Sequence, residues 1–343
     1  MQRILVTGAL GQIGSELVAA LRERYGEANV VASDIRRPER KPDAGEDAGA
    51  GATGDGSTRD AIPTDSGPFE VLDCRDGAAV ADVVARHRID TIYHLAAILS
   101  ATAEAAPQKA WDVNLNGLFA VLEVARERGC AVFTPSSIGA FGPSTPADPA
   151  PQDTIQRPTT MYGVTKVAGE LLCDYYHARF GVDTRGLRYP GLISYVAPPG
   201  GGTTDYAVDI FYHALRVGRY TSFLGPDTQL DMMYMPDAIR AAIELMEADP
   251  ARLRHRNAFN VTAMQLTPAS LAEAIARRIP GFTIDYDVDP VRQAIADSWP
   301  RRIDDGAARE EWGWKPAYDL DAMTDDMLAQ LSTRLGLPLT PAR

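Results

Sequence analysis

The chain contains little of what disulfide frameworks and metal centres are built from. Among its 343 residues there are only three cysteines and five histidines. The cysteines, Cys74, Cys130 and Cys173, are widely spaced and form no Cys-x-x-Cys pair, which favours reduced thiols over disulfides. The histidines show no spacing typical of metal ligands, so we expect no metal site.

Basic residues and long apolar runs are also scarce. The 34 Lys and Arg residues are outnumbered by 46 Asp and Glu residues, which gives a net charge of -12. Such a chain is a poor partner for nucleic acid or an anionic membrane surface. No stretch approaches the roughly 18 apolar residues that span a bilayer, and no apolar leader precedes the first strand-like run. We therefore expect a cytoplasmic protein that binds neither nucleic acid nor a membrane.

The first half of the chain alternates short apolar runs with segments of helical period. Strands are predicted at residues 4–7, 30–34, 69–72, 91–95, 131–134 and 184–189, and helices at 13–25, 78–86, 107–128 and 160–180. This alternation predicts an α/β fold of Rossmann type, in which helices cover both faces of a doubly wound parallel sheet. Ligands bind such sheets outside the carboxyl ends of the strands.

A glycine-rich loop joins the first predicted strand to the first predicted helix. The pattern is Gly8-x-x-Gly11-x-x-Gly14. Glycines there allow a tight turn and let a pyrophosphate approach the backbone, while the helix N-terminus supplies N–H donors and a positive dipole end. Because the pattern follows a strand and opens a helix, it predicts a dinucleotide site.

Asp34 ends the second predicted strand, where it bears on the choice of dinucleotide. A carboxylate at this place accepts hydrogen bonds from the ribose hydroxyls and repels a 2′-phosphate, which favours NAD over NADP. Arg36 and Arg37 are the opposing observation, since a guanidinium could hold a 2′-phosphate. We give Asp34 more weight because it lies on the strand end itself.

Tyr162 and Lys166 are four residues apart in a predicted helix and so lie on the same face. A tyrosine hydroxyl has an unperturbed pKa of about 10, and a nearby positive charge lowers it. The phenol can then act as a general base towards an alcohol. A solvated lysine beside a packing tyrosine would explain this pair alone, but Ser137 upstream and the glycine loop complete a set that indicates an oxidoreductase.

Composition divides the chain into two predicted parts. Residues 1–190 form the NAD-binding Rossmann domain, with a flexible insertion at about 39–66 that is rich in small and polar residues. A partner-binding arm is the alternative interpretation of this insertion. From residue 191 the alternation weakens and proline and glycine increase, so 191–343 is mainly a smaller C-terminal substrate lobe. Residues 235–262 are expected to return partly to the first domain.

Together these motifs resemble the extended form of the short-chain dehydrogenase/reductase superfamily, which includes the NAD-dependent epimerases and dehydratases. The likeness covers nearly the whole chain and includes the run from His94 to Ala97. It implies Tyr162 as general base, Lys166 as the residue that favours the phenolate and binds ribose, and Ser137 as the residue that orients the substrate hydroxyl. The cofactor-binding residues it implies are Gly8, Gly11, Gln12, Ile13, Gly14, Asp34, Asp73, Leu95, Ala96, Ala97, Asn114, Tyr162, Lys166, Tyr189, Gly191 and Ile193.

Longer strings are similar to the subfamily whose members oxidise L-threonine. They lie at residues 135–143, 187–195, 198–207, 232–238 and 297–300. This resemblance implies NAD-dependent oxidation of the threonine β-hydroxyl to 2-amino-3-oxobutyrate, a step of threonine catabolism towards glycine. It also implies a functional link to 2-amino-3-ketobutyrate CoA ligase, and a homodimer formed through the helices predicted at 107–128 and 160–180.

Three further residues are candidates for substrate binding beside Ser137 and Tyr162. Ser100 and Thr203 could contact the amino-acid end, and Trp299 could close the pocket wall. Each has a structural alternative: a serine bonded to backbone, a threonine that caps a helix, and a tryptophan that packs the smaller lobe. The glycines at 200–202 could let the segment with Thr203 close over a small substrate.

Two other functions stay open from the sequence. The first is a nucleotide-sugar epimerase or dehydratase; dehydratases place Asp-Glu after the catalytic Ser or Thr, whereas Ile138 and Gly139 follow Ser137 here. The second is a non-catalytic dinucleotide sensor, but sensors typically lose the tyrosine or the lysine, and Tyr162 and Lys166 are both present.

Overall fold

The structure, a computed structural model, describes residues 1–38, 66–198 and 202–339. The predicted insertion at 39–66 therefore lies outside the described residues except for Ser66, and so do Gly200 and Gly201 of the predicted closing segment.

Twelve strands are found in the described residues. They are β1 Ile4–Thr7, β2 Val30–Asp34, β3 Phe69–Val71, β4 Thr91–His94, β5 Ala131–Ser137, β6 Thr184–Tyr189, β7 Gly191–Ile193, β8 Arg219–Ser222, β9 Leu230–Tyr234, β10 Phe259–Asn260, β11 Met264–Leu266 and β12 Thr283–Tyr286.

Twelve α-helices accompany them in the same ranges. They are α1 Gln12–Tyr25, α2 Gly77–His87, α3 Ser100–Ala105, α4 Pro107–Trp111, α5 Gly117–Arg128, α6 Met161–Phe180, α7 Tyr206–Val217, α8 Met235–Glu247, α9 Pro268–Ala276, α10 Pro290–Asp297, α11 Gly306–Trp312 and α12 Leu320–Leu335. Short 3₁₀ turns lie at Glu27–Asn29, Ile138–Ala140, Thr203–Asp205 and Pro250–Arg252, and a π-helical turn at Asp112–Asn116.

The central sheet has seven strands in the order β3-β2-β1-β4-β5-β6-β10, and every pairing in it is parallel. The chain moves outward in opposite directions from β1 and β4. The carboxyl ends of these two adjacent strands therefore form the topological switch point, where open α/β sheets bind their ligands. The predicted α/β class with a doubly wound parallel sheet is confirmed.

Alternating side chains of each strand enter two different apolar layers, as a pleated strand buried on both faces requires. On β1, Leu5 packs with α2, α5 and α6, whereas Ile4 and Val6 pack with α1 and α8. β1 thus reads as an apolar run because helices cover both faces of the sheet, whereas β6 carries two buried arginines, Arg185 and Arg188.

The C-terminal part of the chain has an apolar cluster of its own. This cluster joins α7, α9 and α12 with the three-stranded sheet β11-β9-β7 and the two-stranded sheet β12-β8. Two elements of this part contact the large sheet: β10 pairs with β6, and α8 contributes Ala238 and Ala242 to the layer that covers β1. On α8, buried Asp237 accepts hydrogen bonds from the backbone of Ala317 and Tyr318 at 3.0 Å.

The helix predicted at 107–128 is present but is not regular. Its middle, Asp112–Asn116, is wound as a π-helix between α4 and α5. Periodicity gives no sign of this change. Asn114 within the turn makes tertiary hydrogen bonds that are described below. π-turns occur often at functional sites.

None of the described helices is both long enough and apolar enough to cross a membrane. Within the same residues, His, Cys, Asp and Glu side chains form no group of three or more that could hold a metal ion.

Candidate active site

The glycine loop lies where β1, α1 and β4 meet, with no space for larger side chains. Gly8 has a φ of 70°, and a Cβ there would lie 2.7 Å from the Ala96 nitrogen. A Cβ on Gly14 would lie 2.3 Å from the carbonyl oxygen of Gly8. In α1, all of which is described, Gly11 is the N-cap without a side-chain cap, and the first turn has no acidic residue. This N-terminus can accept the phosphates of a dinucleotide.

Asp34 lies beside this loop at the end of β2. Its Oδ2 accepts a hydrogen bond from the Leu10 nitrogen at 3.2 Å, and its Oδ1 accepts one from the Arg36 nitrogen at the same distance. The Arg36 guanidinium turns back to within 3.7 Å of Asp34. The carboxylate is thus fixed next to the loop that would carry the phosphates.

Asp73 follows β3 at the outer end of the same cleft. It pairs with Arg75 at 2.6 Å, and Arg75 also reaches Asp112 in the π-turn at 2.5 Å. The paired guanidinium holds the pKa of Asp73 below its usual range. This bridge links the loop after β3 to the helix that carries Asn114.

Asn114 fixes the segment that follows β4, which contains Leu95, Ala96 and Ala97. Its amide accepts from the Ile98 nitrogen at 2.7 Å and donates to the Ile98 oxygen at 3.1 Å. It also donates to Thr165 Oγ1 at 3.1 Å. Since the side chain must reach both the β4 segment and α6, these bonds explain the π-turn.

Ser137, Tyr162 and Lys166 converge at the carboxyl end of β5. Ser137 Oγ accepts a hydrogen bond from the Gly139 nitrogen at 3.1 Å, so its own proton can be donated to a ligand. The Tyr162 ring packs on the turn after Ser137, because a Cβ on Gly139 would lie 3.3 Å from that ring. Thr160 caps α6 through the Gly163 nitrogen at 3.1 Å, which fixes the helix start beside Ser137.

Lys166 points along the face of α6 that carries Tyr162. Its Nζ lies 5.4 Å from the centre of the Tyr162 ring and donates to the Pro135 oxygen at 2.6 Å. His94 lies close by at the end of β4 and bonds Thr7 Oγ1 through Nδ1 at 2.9 Å. Burial, together with the charge of Lys166, lowers the pKa of His94 to about 3. His94 is therefore neutral, and Lys166 is the positive charge at this point.

The structure places the three candidate substrate residues on three different segments. Ser100 begins α3, and Glu104 on the same helix accepts a hydrogen bond from the Met161 nitrogen at 2.5 Å, so α3 adjoins the start of α6. Trp299 packs both against the cluster that contains Ile138 and against the apolar cluster of the C-terminal part, as the structural alternative expects. Thr203 lies in the turn Thr203–Asp205, where the Asp205 carboxylate bonds the Gly202 nitrogen at 2.8 Å.

The last cofactor candidates lie at β6 and β7. Tyr189 is buried in the core and donates its hydroxyl to the Ala238 oxygen at 2.8 Å, so that hydroxyl is committed to α8. Gly191 is closely packed, since a Cβ there would lie 2.3 Å from the sulfur of Met232 and 2.8 Å from Thr204. Buried Ile193 ends β7. Gln12 and Ile13 are half-buried at the start of α1.

Sequence reasoning missed a contact between α1 and the segment that leads to Thr203. Ser194 donates to Glu16 at 2.6 Å and accepts hydrogen bonds from the backbone of Val196 and Ala197. Arg334 on α12 donates to the Tyr195 oxygen at 3.1 Å. Burial raises the pKa of Glu16 to about 7, against the opposing effects of the Ser194 hydrogen bond and the Arg334 charge. The acid in the first helix is visible in the sequence, but its partner is not.

Comparison with known proteins gives one family. The model of the NAD dependent epimerase/dehydratase family matches residues 4–262. An uncharacterized epimerase/dehydratase of Staphylococcus saprophyticus is 56% identical over 328 residues, which is 96% of this chain and 96% of that protein.

Two solved structures are similar along nearly their whole length. An L-threonine dehydrogenase of Clostridium difficile is 55% identical with a TM-score of 0.90, covering 97% of this chain and 98% of that one. The holo form of an L-threonine dehydrogenase of Cupriavidus necator is 52% identical with a TM-score of 0.86, covering 96% and 99%.

The buried carboxyl of Glu16 predicts a pH-dependent difference in stability. A carboxyl with a raised folded pKa binds its proton more tightly in the folded state, so its contribution to stability falls as pH rises from about 4.5 to about 7 and then stays constant. The unfolding midpoint of Glu16→Gln minus that of the wild type should therefore increase across this window. Glu23→Gln, exposed on the same helix, is the control. A pH-independent difference for Glu16→Gln, measured by thermal unfolding, would contradict the assignment.

Proposed function

The chain belongs to the NAD dependent epimerase/dehydratase family, as its motifs predict, and we propose that it oxidises L-threonine at the β-hydroxyl to 2-amino-3-oxobutyrate with NAD. The observation that carries this proposal is the whole-length similarity to two L-threonine dehydrogenases at 55% and 52% identity. The convergence of Ser137, Tyr162 and Lys166 at one strand end supports it, because dehydrogenation of an alcohol needs a base and a donor at the same oxygen.

In the proposed mechanism Tyr162 is the general base. As phenolate it takes the proton of the threonine β-hydroxyl. Lys166, whose Nζ lies 5.4 Å from the centre of the Tyr162 ring, would bind the nicotinamide ribose. Ser137, whose Oγ already accepts from Gly139, donates to the reacting oxygen and orients it as the carbonyl forms. When NAD is bound, its nicotinamide would accept the hydride that leaves Cβ.

The residues at the switch point fit a bound dinucleotide. Gly8, Gly11 and Gly14 leave the backbone open at the start of α1, and a side chain at Gly8 or Gly14 would collide with backbone atoms. Asp34, held by two backbone N–H groups, would accept from the adenosine ribose. Arg36, the candidate for a 2′-phosphate, is instead turned towards this carboxylate, which supports NAD over NADP.

We propose that the substrate site lies between the segment around Thr203 and the group formed by Ser137, Tyr162 and Lys166. Ser100 and Thr203 would contact the amine and carboxylate of threonine, and Trp299, which packs beside Ile138, would close the wall next to Ser137. The Thr203–Asp205 turn lies against the start of β7, because a Cβ on Gly191 would be 2.8 Å from Thr204. This position supports a small substrate held close to the sheet.

A dehydratase is the rival function within the family, and the turn after Ser137 argues against it. Ile138 is buried in an apolar cluster. Gly139 faces the Tyr162 ring, and even a Cβ there would lie only 3.3 Å from that ring. An Asp-Glu pair at these two positions would place one carboxylate in the apolar cluster and the other against the phenol. The turn therefore suits an enzyme that needs only Ser137 there.

We extend the proposal to the setting of the reaction. Cys74, Cys130 and Cys173 are all buried free thiols, which suits the reducing cytoplasm. The product is a β-keto acid, and we propose that 2-amino-3-ketobutyrate CoA ligase consumes it.

We also propose that the protein is a homodimer joined through α5 and α6. Large apolar side chains are exposed on the outer face of these helices, namely Phe119, Val164, Leu171, Tyr175 and Phe180, with exposures of 41% to 63%. Large exposed apolar side chains on neighbouring helices suit an interaction site. A second copy that presents the same two helices would cover it by a two-fold axis.

The first prediction from this proposal tests the substrate. Purified protein should form NADH, detected by its absorbance, with L-threonine and NAD, and should not turn over a panel of UDP-sugars. Turnover of a UDP-sugar without threonine oxidation would replace this proposal by the nucleotide-sugar alternative. NAD binding with no turnover of either class would favour the sensor.

The second prediction tests the base. Tyr162→Phe removes only the hydroxyl, so kcat should fall at least about 100-fold, the usual scale of general acid–base loss. The Kd for NAD, measured by fluorescence, should stay within about threefold because the glycine loop is untouched. Near-normal turnover of the variant would exclude Tyr162 as the base.

The third prediction tests the dimer. Light scattering at micromolar concentration should give twice the chain mass of 37.1 kDa. Leu171→Glu should give the single-chain mass, because a charge would be buried in the contact. Val217→Glu, which alters an apolar side chain that is 65% exposed on α7, is the matched control and should leave the mass unchanged. A single-chain mass for the wild type would refute the interface.

A further inference from the structure

Two side chains one turn apart on α6 attach this helix to successive residues of β5. Lys166 donates to the Pro135 oxygen at 2.6 Å. Glu170 accepts a hydrogen bond from the Ser136 hydroxyl. Ser136 directly precedes Ser137, and Glu170 is four residues after Lys166, which is four after Tyr162. The three side chains of α6 therefore lie on one face of the helix, opposite the end of β5.

Glu170 is not a surface acid that happens to meet a serine. Its side chain is 7% exposed and pairs with Arg188 of β6, which is 9% exposed, at 2.8 Å. Arg188 approaches it through both Nε and Nη2, the bidentate geometry that fixes orientation as well as distance. Gln156 donates to the second carboxylate oxygen at 2.8 Å.

The same arginine extends these contacts to the loop between β5 and α6. It donates to the Gln152 oxygen at 2.7 Å and to Asn260 Oδ1 of β10 at 3.2 Å, and its guanidinium lies 5.3 Å from the Phe141 ring centre. Gln152 in turn accepts from the Asn260 nitrogen at 2.8 Å. One carboxylate thus connects β5, β6, β10 and α6 through described contacts.

A cavity of about 30 Å³ lies beside these bonds. It is lined by Lys166, Gly169 and Glu170 of α6 and by Ser136 of β5, and also by the cofactor candidates Leu95, Ala96, Ala97 and Asn114. Next to this cavity, the bonds of Lys166 and Glu170 are directed polar contacts that attach α6 to β5.

A buried ion pair by itself is weak evidence for stability, because its desolvation cost can equal its Coulomb gain. Its fixed geometry is better suited to holding neighbouring groups in place. Here the groups beside it are Ser137, Tyr162 and Lys166. A displacement of about 1 Å among such groups lowers the reaction rate even when the protein still folds.

We propose that Glu170 is a positioning residue that fixes α6 against β5 through Ser136 and Arg188, so that Tyr162 and Ser137 contact the same substrate oxygen. The proposal rests on the proposed oxidation of threonine, and it adds Ser136 and Arg188 as the partners through which Glu170 acts. None of these three side chains touches the substrate; each acts through Lys166, Tyr162 or Ser137.

The main test is Ser136→Ala, which removes one hydrogen bond and leaves the Glu170–Arg188 pair in place. At saturating L-threonine and NAD, kcat should fall about tenfold, while the KM for NAD stays within about twofold. The pH at which kcat/KM reaches half its maximum should move upward, because Lys166 is held less firmly near Tyr162. Amide hydrogen exchange of the first turns of α6 should become faster in the variant without substrate.

A second variant, Glu170→Gln, keeps the shape of the side chain but removes the charge and places an amide nitrogen against donors. It should lower kcat at least as far as Ser136→Ala. Asp237→Asn is the matched control, since Asp237 is also a buried carboxylate paired with an arginine, Arg240, but lies on α8. This control should unfold at lower urea concentration than the wild type and yet keep kcat and the pH profile.

The outcomes separate this inference from the proposed function. Absence of threonine oxidation in the wild type overturns the proposed function, and the hydrogen exchange of α6 then decides whether Ser136 and Glu170 fix the helix. If the wild type is active, unchanged kcat and an unchanged pH profile in Ser136→Ala overturn the positioning role. An equal loss of kcat in Asp237→Asn also overturns it, because general destabilisation would then explain the effect.

Discussion

The structure depends on one place where backbone meets backbone without room for a side chain. At the carboxyl end of β1, Gly8 lies against the backbone of Leu95 and Ala96, and Gly14 lies against Gly8 itself. These approaches bring the start of α1 to the ends of β1 and β4. The topological switch point, and with it the cleft that the family uses for its dinucleotide, follows from that approach.

Around this point, buried polar side chains rather than loop length fix the segments that follow the strands. Asn114 holds the segment after β4, Thr7 and His94 join the ends of β1 and β4, and Arg188 holds the loop after β5. Each spans elements that are distant in sequence. Buried polar contacts of this kind favour one arrangement, because breaking such a contact leaves a buried donor or acceptor without its hydrogen bond.

The regular elements near the site could be predicted from the sequence because their causes are local. The strands at 4–7, 30–34 and 184–189 have the predicted bounds. For the strand at 4–7 the signal is a continuous apolar run, which is typical of a strand covered on both faces. The shared face of Tyr162 and Lys166 likewise follows from helical spacing. The partners of α6 could not be predicted: Pro135 and Ser136 are 31 and 34 residues away from Lys166 and Glu170, and nothing local specifies that pairing. For the same reason periodicity indicated a regular helix where the tertiary bonds of Asn114 wind a π-turn.

That π-turn sets the rotation of α5 about the helix axis relative to α4. A π-turn holds one residue more than an α-helical turn, and an α-helix advances about 100° per residue. The bonds of Asn114 to Ile98 and Thr165 keep the extra residue in place. Without them, rewinding Asp112–Asn116 as α-helix would rotate α5 relative to α4 and carry Phe119 away from its outward position. The bonds of one buried amide are thus linked, through the rotation of α5, to the outward position of Phe119.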